Sequence, residues 1–423
     1  MKSISDFTRK EFVDLKRQFV HPSKEISQPD QLVGREKDLD LLRNCFERDG
    51  SHAFIWGPRG VGKTSLAHSA CTKFSEIVVI GPAIACQPDS TVESLFGDII
   101  RRALKLSPIL GKDKGVRLKL GAYGIAVEGQ VSGGFTGTLK IESVNHASEL
   151  LDTLFPSDFE KHRKTAIIVD EFDTLKNADT IEFLTALAKQ MSVDNVDVKI
   201  VFCGVASNFD KLVGSHESVA RYLSAVKLNP LSDDAIWQVI EGISENFYVK
   251  LHRGQLIRIG QIACGYPSFA HLIMDEILNV AFENKLEETD VPQEIFNEGI
   301  RRAAAGAATN LQSAYEDATM RGTDRYVEVL WAAANGQHID GKQFKDIKSD
   351  YDRLMVSRKG RDVLTGETAV RNHLNNLSGE ARNRVLSKPR NGWYRFKDPM
   401  FRGYVRMVAH NDGIELGDES FPA

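Results

Sequence analysis

The chain has 423 residues, 42% of them apolar and 26% charged, with a net charge of −4; this is the composition of a folded globular protein with room for two or three domains. No stretch reaches the roughly 18 continuous apolar residues of a membrane span and the first thirty residues hold no signal-peptide block, so a cytoplasmic location without a membrane partner is expected. Cys45, Cys71, Cys86, Cys203 and Cys264 lie far apart with no CxxC pair, which excludes a disulfide framework or zinc cluster and predicts reduced core thiols.

In chain order, an N-terminal segment (1–30) precedes "LVGREKDLDLL" and then the apolar run "HAFIW". The run reads as a buried strand, and "TSLAHSACTKF" after it as a helix. Between them "GPRGVGKTS" fits G-x-x-x-x-G-K-[ST] through Gly57, Gly62, Lys63 and Thr64. Glycines there let successive backbone N–H groups of Gly57, Pro58, Arg59, Gly60, Val61, Gly62, Lys63, Thr64 and Ser65 (Pro58 excepted, having none) curl around phosphate oxygens, and the helix N-terminus adds partial positive charge. Lys63 then reaches the β- and γ-phosphates, and the Thr64 hydroxyl offers a hard oxygen to Mg²⁺.

"TVESLFGDIIRRALKL" reads as a helix opened by a Ser90/Glu93 capping box. The stretch after it, about 113–142, alternates Val116, Leu118 and Leu120 with Arg117 and Lys119, and carries seven glycines from Gly115 to Gly137. It predicts one or two β-hairpins. "TAIIVDEFD" reads as a central parallel strand ending at Asp170, where such sheets place ligands. Asp170 is the candidate Mg²⁺ carboxylate and Glu171 the candidate for polarising an attacking water, with Asp173 either tuning it or capping the next helix. A further apolar strand covers Val198–Val205.

These motifs and the position of "LVGRE" ahead of the phosphate turn resemble AAA+ and STAND ATPases, nearest the archaeal and bacterial group related to origin-recognition initiators, from about Leu32 to Val408. The resemblance implies a P-loop NTPase, AAA+-like α/β fold: a parallel-sheet core (31–231), an α-helical lid (232–310) and a C-terminal winged helix-turn-helix domain (311–410) before an acidic tail (411–423). It implies ATP over GTP, with Val33, Gly34 and Arg35 folding over the adenine. Asn208 or Ser207 falls at the first sensor position, although Asn there is equally an N-cap. Arg221 falls where a trans-acting arginine finger stands, or is a surface arginine in an ion pair. Gly265 and Pro267 of "CGYPSFAHLI" resemble the Gly-x-Pro element of STAND lids that sets a helix against the nucleotide. Where initiator ATPases carry an arginine at the start of that helix, this chain has Ser268 and His271, which favours a slower switch.

Downstream, "DRYVEVLWAAAN", "GKQFKDI" and "GETAVRNHLNNLSGEARNRVL" read as three helices, and "WYRFKDPMFRGYV" as the last strand and helix. From Asp340 to His410 there are sixteen Lys/Arg against eight Asp/Glu, leaving −12 for the rest of the chain. Arg371, Asn372, His373 and Asn375 on the third helix, with Lys388, Arg390, Arg395 and Lys397 at the wing, suit a DNA groove. The same basic face also suits an internal clamp or an acidic partner. Two functions follow: an ATP- and Mg²⁺-dependent ATPase switch that self-associates and binds DNA, or a regulatory or defence scaffold gating an effector protein.

Overall fold

The computed structural model describes residues 2–22, 25–26, 29–74, 77–79, 83–106, 126–127, 135–136, 141, 143–155, 164–205, 221–320, 325–336, 340–358 and 361–417. Backbone contacts divide the chain into two compact units: Glu25–Pro58 with Gly62–Asn229, and Met1–Lys24 with Arg59–Val61 and Pro230–Ala423. Among the described residues no helix is long and apolar enough to cross a membrane.

The second unit begins with α1 (Arg9–Phe19), opened by a Thr8/Glu11 capping box that answers two orphan N–H groups at once. In the first unit, α2 (Glu36–Glu47) leads to β1 (His52–Trp56), α3 (Lys63–Lys73), β2 (Ile77–Val79), β3 (Ile84–Ala85) and α4 (Val92–Leu106). The short strands β4 (Ala126–Val127) and β5 (Phe135–Thr136) pair antiparallel; the rest of the expected hairpin region lies outside the described residues, apart from Ile141. Then come α5 (Val144–Leu154), β6 (Lys164–Asp170), α6 (Ala178–Val193), β7 (Val198–Gly204) and β8 (Leu223–Lys227).

The sheet runs β2-β6-β7-β1-β8, with β3 also paired to β6, and every pairing in it is parallel. β7 is buried along its whole length, as a strand covered on both faces must be, which explains its unbroken apolar sequence. Between sheet and helices lie Phe54, Phe172 and Phe202, all below 1% exposed; Phe172 meets Phe202 edge-on at 5.2 Å and Phe54 at 6.3 Å. Two local expectations are corrected here. α4 is opened by Thr91 and Ser94, whose side chains each accept from the other's N–H (3.3 and 3.0 Å), while Ser90 Oγ accepts from Gln87 N. Asp173 does not cap α6; Asn177 does, accepting from Asp179 N and Thr180 N.

In the second unit, α7 (Asp233–Asn246), α8 (Arg253–Ala263), α9 (Pro267–Glu283) and α10 (Gln293–Ala305) form a helical group. α1 joins it: Phe12 stacks on Phe282 at 4.2 Å, and Lys16 pairs with Asp275 at 2.7 Å. A Cβ on Gly299 would lie 2.5 Å from Ile277, so α9 and α10 approach closely only because this residue is glycine. Beyond them lie α11 (Thr309–Thr319), α12 (Tyr326–Ala334), β9 (Lys342–Gln343), α13 (Phe344–Ser357), α14 (Glu367–Leu377), β10 (Leu386–Ser387), β11 (Trp393–Phe396) and α15 (Pro399–Asn411). The last three strands form an antiparallel sheet in the order β10-β11-β9.

The expected second helix starts later than read, because Lys342 and Gln343 are strand, and it continues to Ser357. The third ends at Leu377 rather than running through to Leu386, since Ser378-Gly379 breaks it before a 3-10 turn at Glu380–Arg382. Among the described residues Lys342, Arg382, Arg402 and Arg406 are buried, so these four cations contribute little to a surface. Three of them answer carbonyls at and just past the end of α12: Lys342 Nζ donates to Ala332 O (3.0 Å), and Arg402 Nε and Arg406 Nε both donate to Ala334 O (3.1 and 2.9 Å). A helix C-terminus favours cations there.

Candidate nucleotide site

β1 lies between β7 and β8, and β6 lies on the other side of β7. The loop leaving β1 and the carboxylate ending β6 are therefore two strand spacings apart, about 9.5 Å, at the C-terminal edge of a parallel sheet. That edge is where α/β sheets open a ligand crevice. Gly57 continues the ladder through Gly57 N to Gly204 O (3.2 Å), and a Cβ on it would lie 2.4 Å from Leu228 O.

Gly60 and Gly62 both take positive φ (75° and 96°), which turns the chain back on itself at little steric cost. Gly62 is the N-cap of α3 and no side chain bonds there, leaving first-turn donors for an anion. Lys63 Nζ folds back over the loop and donates to Gly57 O (3.2 Å) and Pro58 O (2.9 Å). Thr64 Oγ1 donates to Asp170 Oδ2 at 2.5 Å. The Thr64 hydroxyl and Asp170 carboxylate thus meet beside the loop over which the Lys63 ammonium folds, a set of groups that fits a triphosphate and Mg²⁺. Arg59 and Gly60 are exposed and Val61 is buried.

Ser65 Oγ accepts from Ile26 N (3.1 Å), and Ser69 Oγ, one turn on, donates to Ile26 O (3.2 Å). Ile26 is thereby tied to α3 by both its backbone groups, a contact no sequence motif marks. It leaves the Ser65 backbone, and not its side chain, for phosphate. Gly34 turns at φ 72° and Arg35 is 6% exposed, its guanidinium held by Asp38 at 3.3 Å. Burial lowers the Arg35 pKa. Val33 and Gly34 form a turn, with Arg35 committed to its own helix and Val33 half-buried beside it.

Glu171 is exposed and takes a left-handed backbone, φ 51° and ψ 33°, a conformation that costs a non-glycine residue about 1–2 kcal/mol. Its N–H donates to Asp170 Oδ1 at 2.7 Å. The buried Phe172 behind it directs the Glu171 side chain away from the core. Cys86, at the end of β3, is a buried thiol pushed up to about 12 by burial and then by the carboxylates of Asp170, Glu171 and Asp173; it is no nucleophile.

Ser207 and Asn208 lie outside the described residues. Arg221 is exposed, two residues before β8. In the other unit, Pro267 is the first residue of α9 after N-cap Tyr266, and Gly265 takes φ 79° where a Cβ would meet Leu231 O at 2.6 Å. Ser268 and His271 hold no charge in reserve: His271 is 5% exposed, its Nδ1 accepts from His21 N at 3.2 Å, and burial, then His21, pushes its pKa down to about 3.

On α14 the expected base-reading side chains are spent within their own unit. Arg371 lies 3.8 Å over the Phe344 ring, Asn375 Oδ1 accepts from Tyr394 OH at 2.9 Å, and the His373 ring lies 4.4 Å from that of Tyr326. Asn372 stays exposed, as do Lys388, Arg390, Arg395 and Lys397 on the β10–β11 hairpin.

Residues 31–201 match the family model of the AAA ATPase domain. No curated protein matches the chain. Among solved structures, a Walker-type ATPase of Pyrococcus abyssi superposes with a TM-score of 0.52 at 16% identity, covering 91% of this chain and 99% of that one. The ORC2 protein of Aeropyrum pernix, in ADPNP and ADP complexes, gives 0.49 at 13% identity over 93% of this chain and 97% of its own. Cdc6p of Pyrobaculum aerophilum gives 0.42 at 12% identity, covering 89% and 94%. The parallel order, the crossover position of β1 and the first of these likenesses make the fold that of a P-loop AAA+ ATPase.

Proposed function

We propose that the chain is an ATP-binding and slowly hydrolysing molecular switch that self-associates when nucleotide is bound and holds DNA through its C-terminal residues. The observation that carries the reading is the convergence of Lys63, Thr64 and Asp170 at the crevice between β1 and β6. On binding, the Lys63 ammonium exchanges the neutral carbonyls of Gly57 and Pro58 for anionic phosphate oxygens, so the loop is pre-shaped and trades ion–dipole bonds for ion pairs. Thr64 and Asp170 would hold Mg²⁺, which neutralises charge on the terminal phosphates. Glu171 accepts the proton of an attacking water, and Arg221 supplies a cation to a neighbouring copy's site. Asn208 remains the proposed sensor of the terminal phosphate.

The order α12, β9, α13, α14, β10, β11 supports reading these residues as a winged helix, whose proposed wing, the β10–β11 hairpin, carries exposed Lys388, Arg390, Arg395 and Lys397 without an intervening acid. With α14 occupied internally, these cations favour contacts to phosphates over base readout. The absence of an arginine at Ser268, together with that internal use of α14, also favours the second reading, a scaffold that gates an effector protein.

Calorimetry with a slowly hydrolysed ATP analogue and Mg²⁺ tests the site: wild type binds, Lys63→Ala does not, and Glu171→Gln binds but fails to hydrolyse ATP. No heat with wild type refutes the reading. Sizing the analogue-bound protein with and without duplex DNA separates the two functions, since only the first predicts a DNA-bound assembly.

A further inference from the structure

Glu171 reaches its position at a cost in backbone conformation, and what holds it there was not identified by any motif. One side of the turn is fixed by the core, where Phe172 is fully buried between Phe54 and Phe202. The other side is fixed by Cys86, the residue just after β3. Cys86 N donates to Asp170 O at 2.9 Å, just before Glu171 in the chain. Its carbonyl then accepts from Thr174 Oγ1 at 2.7 Å, three residues after Glu171.

Thr174 also closes the turn itself, its N–H donating to Glu171 O at 2.8 Å. Because the amide already serves Glu171 O, the single hydroxyl hydrogen is available to Cys86 O, although Glu171 O is also within 2.8 Å of it. Lys176 N to Pro88 O (3.3 Å) continues the same edge-to-turn pairing. The left-handed Glu171 is therefore bracketed by the N–H and carbonyl of Cys86, and among the described residues the Thr174 hydroxyl is the side chain that ties the turn to Cys86.

We propose that Thr174 is a positioning residue for Glu171, its hydroxyl tying the turn after β6 to Cys86 and so aiming the carboxylate for hydrolysis. This rests on the reading of Glu171 as the water-polarising group. A threonine does this where valine cannot, since valine has the same shape and no donor; serine keeps the donor and loses only a methyl.

The test compares wild type, Thr174→Val, Thr174→Ser and Glu171→Gln in the full chain. Carboxylate misplacement of order an ångström costs up to about a hundredfold in rate, so Thr174→Val should lower kcat by about tenfold or more. KM and the affinity for a slowly hydrolysed analogue should stay within about twofold, because binding uses the loop after β1 and not this turn. Thr174→Ser should recover most of kcat. In nucleotide-free protein, amide exchange at Thr174 should quicken in the valine variant and not in the serine variant, a readout independent of turnover. Normal kcat in Thr174→Val, a parallel loss of kcat and affinity, or failure of serine to rescue would overturn the proposal. If Glu171→Gln hydrolyses ATP like wild type, it is the reading of the site that fails, while unchanged exchange at Thr174 would refute the bracket itself.

Discussion

His52, the first residue of β1, should make the parallel-sheet unit acid-sensitive by an amount the structure sets. It is 1% exposed. Its Nε2–H donates to Ala188 O at 2.9 Å and its Nδ1 accepts from Ile200 N at 3.0 Å, so both ring nitrogens are used in the neutral form and protonation would destroy the acceptor. Burial first, and then the nearby Lys199 ammonium, push its pKa down to about 3. Above pH 6.5 folded and unfolded chains are both neutral here and the full stability is present. Below it the unfolded chain binds a proton that the folded chain refuses, and stability falls by about 1.4 kcal/mol per pH unit until the folded pKa near 3 is reached. From pH 7.5 to pH 5 the loss from this residue is about 2 kcal/mol. Urea unfolding at several pH values, followed by peptide-resolved amide labelling over Val198–Gly204, reads the sheet's own stability. His52→Gln should be less stable at pH 7.5, having poorer bonds, yet its stability should decline less steeply with acid by about one proton. Equal pH slopes for the two proteins would refute the assignment of His52 as a neutral bridge.

Gly57→Ala should destabilise the same unit by about 2 kcal/mol, the scale of overpacking against backbone. Gly62→Ala, with φ 96° but open space around its Cβ, should cost only about 1 kcal/mol of strain; chemical denaturation that ranks them the other way would contradict the loop geometry. For the DNA reading, Arg390→Ala and Arg395→Ala should each lower the slope of log affinity against log salt by about one, with no change in sequence preference. Fluorescence anisotropy with duplexes of different sequence across a salt series measures both, and unchanged slopes would place DNA elsewhere or nowhere.

The parts of the chain legible from sequence are those whose cause is local. "HAFIW", the glycines at 57 and 62, and the run ending at Asp170 each carry their own instruction, through strand-length apolar runs or backbone freedom, and the parallel sheet then brings Lys63, Thr64 and Asp170 together. What escaped reading depends on partners far away in sequence. Nothing near Glu171 announces a left-handed residue; it is imposed by Phe172 seeking Phe54 and Phe202, and by Cys86, 85 positions upstream of it. A count of charge treats every cation as surface, but Arg402 and Arg406 are buried against Ala334 O, 68 and 72 residues away. Likewise, polarity on α14 suggested a reading face until Tyr394 and Tyr326 claimed it. The start of α1 is legible in sequence: Thr8 and Glu11 stand three apart before "FVDL", the signature of a capped helix start, and α1 docks on α9 through Phe12 and Phe282. The contrast has a physical basis. Phosphate recognition is done by backbone, whose conformation short sequence windows can dictate, whereas aiming a catalytic carboxylate requires tertiary contacts that no window contains.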